Sequence, residues 1–268
     1  MLYTAVPKID GYLKPPKAMN ADGILRTGTS NIILPGTKKD FPEEYRAGSR
    51  LRYYASIFNS LEINSTFYKL PLPSTFEKWS LEVPDDFQFS IKLSREITHR
   101  KNLEYNPGDI DTFFKASDRI GKKKGCLLIQ FPASISFQYR SAVEKIIGQA
   151  HQLNAHSGWR LCVEFRNTSW YDNDFTYGLL DDHNASIVLH DMPESRTPFI
   201  GRSLPVVYLR FHGLKGDYRG SYSNEHLLDF AQRIREWLKE GKDVYAYFNN
   251  TIGEAFSNAR FLHGAIVD

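Results

Sequence analysis

Eight short apolar runs recur from Gly23 onward, at 24–28, 60–67, 87–93, 125–131, 160–165, 186–190, 206–211 and 243–248. Helix-period patterns lie between most of them, clearest at 49–58, 110–120, 140–153, 224–238 and 254–266 and weaker at 74–81 and 173–182. Strand alternating with helix requires parallel strands joined by right-handed crossovers, and eight such units are the number at which a parallel sheet closes on itself. The expected fold is therefore α/β, a closed (β/α)8 barrel of the TIM type. The sixth and seventh runs are joined by SRTPFIGRSLP, which reads as a loop, so this crossover is expected to lack a regular helix. The competing architecture is an open doubly wound sheet, but LRTGTSN, at the first strand, carries neither GxGxxG nor a P-loop.

A chain of 268 residues accommodates one such barrel. Residues 1–22 carry Pro7, Pro15 and Pro16 without sustained periodicity, and are expected to form an extended arm ahead of a single domain at 23–268. Two cysteines, Cys126 and Cys162, are too few for a disulfide framework and sit in apolar runs, where inert buried thiols are expected. No window approaches the roughly 18 apolar residues of a membrane span, and the amino-terminal segment lacks the apolar stretch of a signal peptide. A cytoplasmic protein without membrane association is the expectation. A net charge of +3 permits an anionic partner but is far from the dense Lys/Arg footprint of a dedicated nucleic-acid binder.

Strands of a parallel sheet are buried on both faces, so charged residues inside them require a reason. Near the carboxyl ends of the runs, polar residues stand two apart: Glu62 and Asn64, Glu164 and Arg166, Arg210 and His212. Side chains at i and i+2 share a face. Lys92 closes the third run, Gln130 lies in the fourth, His190 and Asp191 close the sixth, and Asn249 and Asn250 follow the eighth. In a barrel these converge on the mouth at the carboxyl ends of the strands, where barrel enzymes keep their active sites. The bland alternative is a self-neutralising salt network of three acids and three bases. A buried ion pair often adds no net stability over apolar packing, which argues against gathering six charges for structure alone.

LEINSTFYKLP at 61–71, FQFSIKLSREITH at 87–99, LIQFP at 128–132, VEFRNTSW at 163–170, YLRFHG at 208–213 and YAYFNNT at 245–251 resemble the YecE-like family, also called domain of unknown function seventy-two. GDYRGSYS at 216–223 and AFSNARFL at 255–262 extend the resemblance, which covers roughly Gly23 to the end. It implies a TIM-type barrel and leaves the activity unassigned. The family follows its first strand with a Gly-Trp pair, another Trp and a Tyr-Pro. Here Gly28 leads towards SNIILPGTKKDFPEEY without either Trp, which implies a different or larger ligand if those aromatics shape the mouth.

From the residues, Glu62 and Glu164 are the candidate acid/base pair, the arrangement used on glycosidic bonds, with His212 as proton shuttle or hydrogen-bond donor. Lys92, Arg166 and Arg210 suit phosphate or carboxylate. The usual barrel phosphate cradle, backbone N–H groups after strands seven and eight, is available in HGLKGDYRGSYS and NNTIGEAFSNA. Tyr68, Trp170 and Tyr218 are candidates for stacking on a ring, and Trp79, Tyr171 and Tyr222 occupy similar places. Asn64, His99, Gln130, Asp191, Asn249 and Asn250 complete the expected substrate-binding set. His99, His190 and His212 with Glu62, Glu164 and Asp191 offer Zn or Mn ligand types, but no HxH, HExxH or CxxC spacing occurs and three cations intervene, so no metal or other cofactor is expected. The expected function is acid/base hydrolysis of an anionic, ring-bearing substrate: a sugar phosphate, a nucleotide or a nucleic-acid segment. The alternatives are a non-catalytic anion or nucleic-acid binding module and a metal-dependent phosphodiesterase.

Overall fold

Eight parallel strands order the molecule, and the computed structural model describes residues 22–199 and 205–267 of it. The strands are β1 (Leu25–Thr29), β2 (Ser60–Ile63), β3 (Gln88–Lys92), β4 (Lys124–Phe131), β5 (Arg160–Phe165), β6 (Ser186–His190), β7 (Val207–Phe211) and β8 (Val244–Phe248). Each pairs in parallel with the next from β2 to β8, and β8 pairs with β1 from Leu25↔Val244 to Thr29↔Phe248. Between β1 and β2 the ladder shrinks to one bridge, Ser30↔Glu62, so the barrel is nearly closed. The α-helices longer than one turn are α1 (Arg50–Tyr54), α2 (Pro73–Leu81), α3 (Pro107–Ser117), α4 (Arg140–Asn154), α5 (Asp174–Asp182), α6 (Asn224–Lys239) and α7 (Ala255–Val267). Among the described residues no helix joins β6 to β7, as the sequence implied. The expected arm at 1–22 falls, apart from Asp22, outside the described residues.

The period-two alternation of the strands sorts the core into two clusters. Leu127, Ile129, Val163, Ile187, Leu209 and Ala246 face outward beneath the helices. Leu128, Cys162, Val188, Tyr208, Tyr245 and Tyr247 fill the lumen with Cys126. Lumen tyrosines find polar partners: Tyr247 bonds Ser90 Oγ at 2.9 Å and also Ser60, while Tyr245 bonds Gln88. Both cysteines are buried and free, as expected.

Element ends follow local chemistry. Asn106, Asn173 and Ser223 cap α3, α5 and α6 by accepting from Gly108, Thr176 and His226 N–H groups at 3.1, 2.9 and 3.2 Å. Two expectations need correction. The run 60–67 is strand only to Ile63, because Ser65–Tyr68 coils into a helical turn held by Thr66 Oγ1 donating to Lys92 O at 2.7 Å. The pattern 110–120 yields helix from Pro107 to Ser117, then a 3-10 stretch in which Gly121 takes φ 66°.

Gly28 marks the tight contact of β1 with β2: a Cβ there would lie 2.1 Å from Ser60 O and 2.6 Å from the Tyr54 hydroxyl. That hydroxyl also accepts from Thr29 N at 2.7 Å, so it cannot retreat freely. Gly28→Ala is therefore expected to lower stability by about 1–3 kcal/mol through overpacking, read as a lower urea midpoint with unchanged slope.

Candidate functional site: the carboxyl mouth of the barrel

The i, i+2 pattern projects the polar residues into the lumen at one end, where they form a continuous buried network. At its centre is Arg210 on β7, almost wholly buried. Its Nε and Nη2 donate to Glu62 Oε2 and Oε1 at 2.9 and 2.8 Å, and its Nη1 donates to Glu164 Oε2 at 2.8 Å. Glu62 also accepts from Tyr208 OH at 2.6 Å and Ser30 Oγ at 2.5 Å. Glu164 Oε1 accepts from Arg166 Nε, and Arg166 Nη2 reaches His212 Nε2 at 3.0 Å. His212 Nδ1 faces Asp191 Oδ1 at 3.3 Å, the same oxygen accepting from His212 N at 2.8 Å. Tyr222 OH donates to Asp191 Oδ2 and accepts from Gly213 N at 2.6 Å.

Protonation states follow from this wiring. Burial alone would raise the Glu62 carboxyl, but the Arg210 charge and the Arg210, Ser30 and Tyr208 hydrogen bonds outweigh it and leave it below its ordinary value. Burial opposes ionisation of Glu164 too, and Arg166 with Arg210 drives it well below the usual range. Both carboxylates are ionised and wholly buried. Burial, with Arg210 and Arg166 nearby, pushes His212 down to about 4 against the opposing pull of Asp191. Neutral His212 thus donates from Nδ1 to Asp191 and accepts from Arg166 at Nε2, a tautomer assigned from its partners.

These contacts place the expected catalytic residues within the network. Glu62, Glu164 and His212 each turn their polar atoms to the network instead of the opening. Glu62 and Glu164 both bond Arg210, while Glu164 and His212 hold Arg166 from two sides.

Above the network lies a cleft of about 680 Å³ lined by Phe67, Tyr68, Lys92, Arg95, His99, Gln130, Arg166, Lys215 and Tyr218 among others. Its walls are the turns that follow β2 to β7. Glu194 is the acidic side chain in the lining, against Lys92, Arg95, Arg166 and Lys215. Lys92 Nζ donates to Gln130 Oε1 at 2.7 Å and sits 4.0 Å from the Phe67 ring centroid. Desolvation, followed by the Arg210 charge, lowers Lys92 to about 7, with Arg166 assisting and Glu164 and Glu62 opposing. His99 is pushed to about 4 by burial and by Lys92 and Arg95. Tyr218 adopts φ 65°, a region uncommon outside glycine that costs on the order of 1 kcal/mol, while its ring meets His212 edge-on at 5.8 Å. Tyr68 is 69% exposed at the rim.

The remaining expected residues fall elsewhere. Trp170 is completely buried, stacked on Phe165 at 4.4 Å with its indole N–H donating to Ile135 O at 2.8 Å, so it is core. Asn250 Nδ2 ties Gly220 O and Asn258 Oδ1 at 2.9 and 3.0 Å, tethering a loop rather than facing a substrate. Asn249 and Asn64 lie outside the cleft lining, with Asn64 Oδ1 buried and unpartnered. His190 is buried against Phe165 O at 3.0 Å and Tyr171 OH at 3.2 Å. Trp79 lines a separate cavity, and Tyr171 and Tyr222 are buried.

The expected backbone cradle is also occupied, since Gly213 N donates to Tyr222 OH, Gly216 N to Gly213 O, Tyr218 N to His212 O and Gly253 N to Asn250 O. Among the described residues no three His, Cys, Asp or Glu side chains gather as a metal-ligand set. No described helix is long and apolar enough to cross a membrane. Missing from the sequence reading were Arg95, Phe67 and Lys215, which lie in turns without periodicity, and Tyr208, whose place two residues before Arg210 does signal a shared face. Asn31 and Ile32, in the stretch lacking the family's Trp residues, border an apolar cavity of about 210 Å³ with Leu61 and Trp79, apart from the cleft.

The fold and site define a parallel α/β barrel with a cationic mouth seated on a buried ion-pair network. The chain belongs to the family described as protein of unknown function DUF72, whose model matches residues 26–267. It is 26% identical over 244 residues to UPF0759 protein YunF of Bacillus subtilis, covering 80% of this chain and 84% of that protein. UPF0759 protein YecE of Escherichia coli is 31% identical over 94 residues, 35% of either chain. The crystal structure of a DUF72 family protein from Enterococcus faecalis superposes with a TM-score of 0.73 at 20% identity, covering 91% of this chain and 95% of that one. One from Thermotoga maritima superposes with a TM-score of 0.71 at 24% identity, covering 91% and 100%. At these identities the two structures speak to the fold alone.

Proposed function

We propose that the barrel mouth binds an anionic, ring-bearing small molecule such as a sugar phosphate or nucleotide. The observation that carries this reading is Arg166. Glu164 and His212 hold its Nε and one terminal nitrogen, while the side chain still lines a cleft whose other charged groups are mostly cationic. A guanidinium held from below presents its remaining donors at little entropic cost, in the fork geometry that oxyanions match. Lys92, Arg95 and Lys215 surround the same space, and Tyr68 and Tyr218 offer ring faces at its edge. Side chains, rather than the backbone cradle common in barrels, would then hold the anion.

Carboxylate-driven hydrolysis is disfavoured by the same geometry, since both acids are saturated by arginine and closed to the cleft. The buried free thiols accord with a reducing, cytoplasmic setting.

The test is a thermal-shift series with inorganic pyrophosphate, ribose 5-phosphate, adenosine monophosphate and a single-stranded oligonucleotide. At least one small anion is expected to stabilise the protein, by RT ln(1 + [L]/Kd). Arg166→Ala is expected to weaken that ligand about tenfold or more, as loss of a charge-assisted contact worth about 1.5–3 kcal/mol requires. No stabilisation by any small anion would reject the reading, and stabilisation by the oligonucleotide alone would replace it with nucleic-acid binding.

A further inference from the structure

Lys92 occupies an unusual place for an ammonium. It ends β3 on the lumen face and lines the cleft, with its Nζ anchored by one neutral acceptor, Gln130 Oε1, over the Phe67 ring. Among the described residues no carboxylate stands at ion-pair distance from it, because Glu62 and Glu164 are engaged by Arg210 and Arg166. The charged and titratable groups acting on it are Arg210, Glu164, Arg166 and Glu62, with His99 beside it in the lining. Desolvation and the two guanidiniums favour the neutral amine, so that its lone pair is populated near pH 7. A neutral amine beside an anion anchor, in a cleft open to small molecules, is the arrangement of a carbonyl-attacking lysine.

We propose that Lys92 is a nucleophile that forms a Schiff base with the carbonyl carbon of an anionic aldehyde or ketone whose acid group rests on Arg166. The proposal builds on the anion-binding reading and narrows its substrate class to carbonyl compounds. In the first step the Nζ lone pair forms the C–N bond while the C=O π pair moves to oxygen, giving a carbinolamine after a proton passes from nitrogen to oxygen. Protonation of the hydroxyl by solvent then lets water depart as the nitrogen lone pair closes the C=N bond. The net change is amine plus carbonyl plus one proton giving iminium plus water. The cationic iminium draws electrons from the adjacent carbon, which suits enamine-forming or carbon–carbon bond chemistry there.

The experiment treats the full chain at neutral pH with glyceraldehyde 3-phosphate or pyruvate and sodium borohydride, whose hydride reduces any C=N bond to a stable secondary amine, and maps the product by peptide mass spectrometry. Lys92 is expected to be modified at least about tenfold faster than the exposed Lys69 and Lys115, since its lowered proton affinity leaves it free amine at neutral pH and its cleft gathers the anionic carbonyl compound. Inorganic pyrophosphate should protect it, and Arg166→Ala should slow labelling by the phosphorylated aldehyde more than by neutral glyceraldehyde. Lys92→Met, which keeps the contact with Phe67, should show labelling at background rate in a folded protein by circular dichroism. Labelling spread over exposed lysines with Lys92 untouched overturns the proposal. If a small anion of the thermal-shift series still stabilises the wild type in an Arg166-dependent way, the anion site stands and the amine chemistry alone falls; if none does, both fall.

Discussion

Arg210→Met is expected to reduce the unfolding free energy by about 3–5 kcal/mol, because it leaves Glu62 buried without a cation and Glu164 with half its pairing. For a chain of this length that corresponds to a Tm lower by on the order of 10 °C. The pH dependence separates this cause from a simple packing loss. In the wild type Glu62 and Glu164 titrate below their ordinary values, so their contribution is present above the usual carboxylate pKa and is lost as pH falls through the folded-state values. In the variant, burial is no longer opposed by Arg210 and the carboxyls titrate higher. The penalty is then full at neutral pH and is relieved as acid protonates them. Urea unfolding of both proteins at a series of pH values should therefore give curves that converge in acid. A deficit under about 1 kcal/mol, or one independent of pH, would show that the network is not the desolvated unit its burial indicates.

Lys92→Met is expected to stabilise the protein, by on the order of 2–4 kcal/mol near pH 7. The folded-state pKa of Lys92, about 7, lies below its ordinary 10.5, so unfolding takes up a proton across that interval. A depressed pKa contributes stability that is present above the unfolded value and lost as pH falls towards the folded one. Wild-type stability should accordingly rise between about pH 7 and 10, and the rise should vanish in Lys92→Met. The raised pKa values of the buried Tyr208 and Tyr247 act above that window, where unfolding would release their protons. A stability gain on removing a residue is the signature of a group retained for something other than folding. If Lys92→Met is destabilising and its pH curve matches the wild type, Lys92 is an ordinary ammonium and the amine chemistry above loses its basis.

The alternation of apolar runs and helical patterns was enough to specify a parallel eight-stranded barrel, because a backbone satisfied strand to strand and covered by helices has few other closed solutions. The i, i+2 polar pairs likewise determined which end gathers the buried polar residues, since side-chain direction in a strand is a local property. Lys92, Gln130 and Arg166 were therefore legible as one group, and they do share a cleft. What each charge does was not legible. Glu62 and Glu164 read as an acid/base pair, or as partners of Arg166, Arg210 or Lys92, and the structure turns both to Arg210. Trp170 and Asn250 read as substrate-binding from their position after a strand; in the structure one packs on Phe165 and the other ties Gly220. Sequence specifies periodicity, which is set within a few residues, whereas pairing, burial and proton affinity depend on groups brought from distant strands, 148 positions apart for Glu62 and Arg210. Those long-range contacts, and the place of Arg95 and Lys215 beside Lys92 and Arg166 in the cleft, came from the tertiary structure alone.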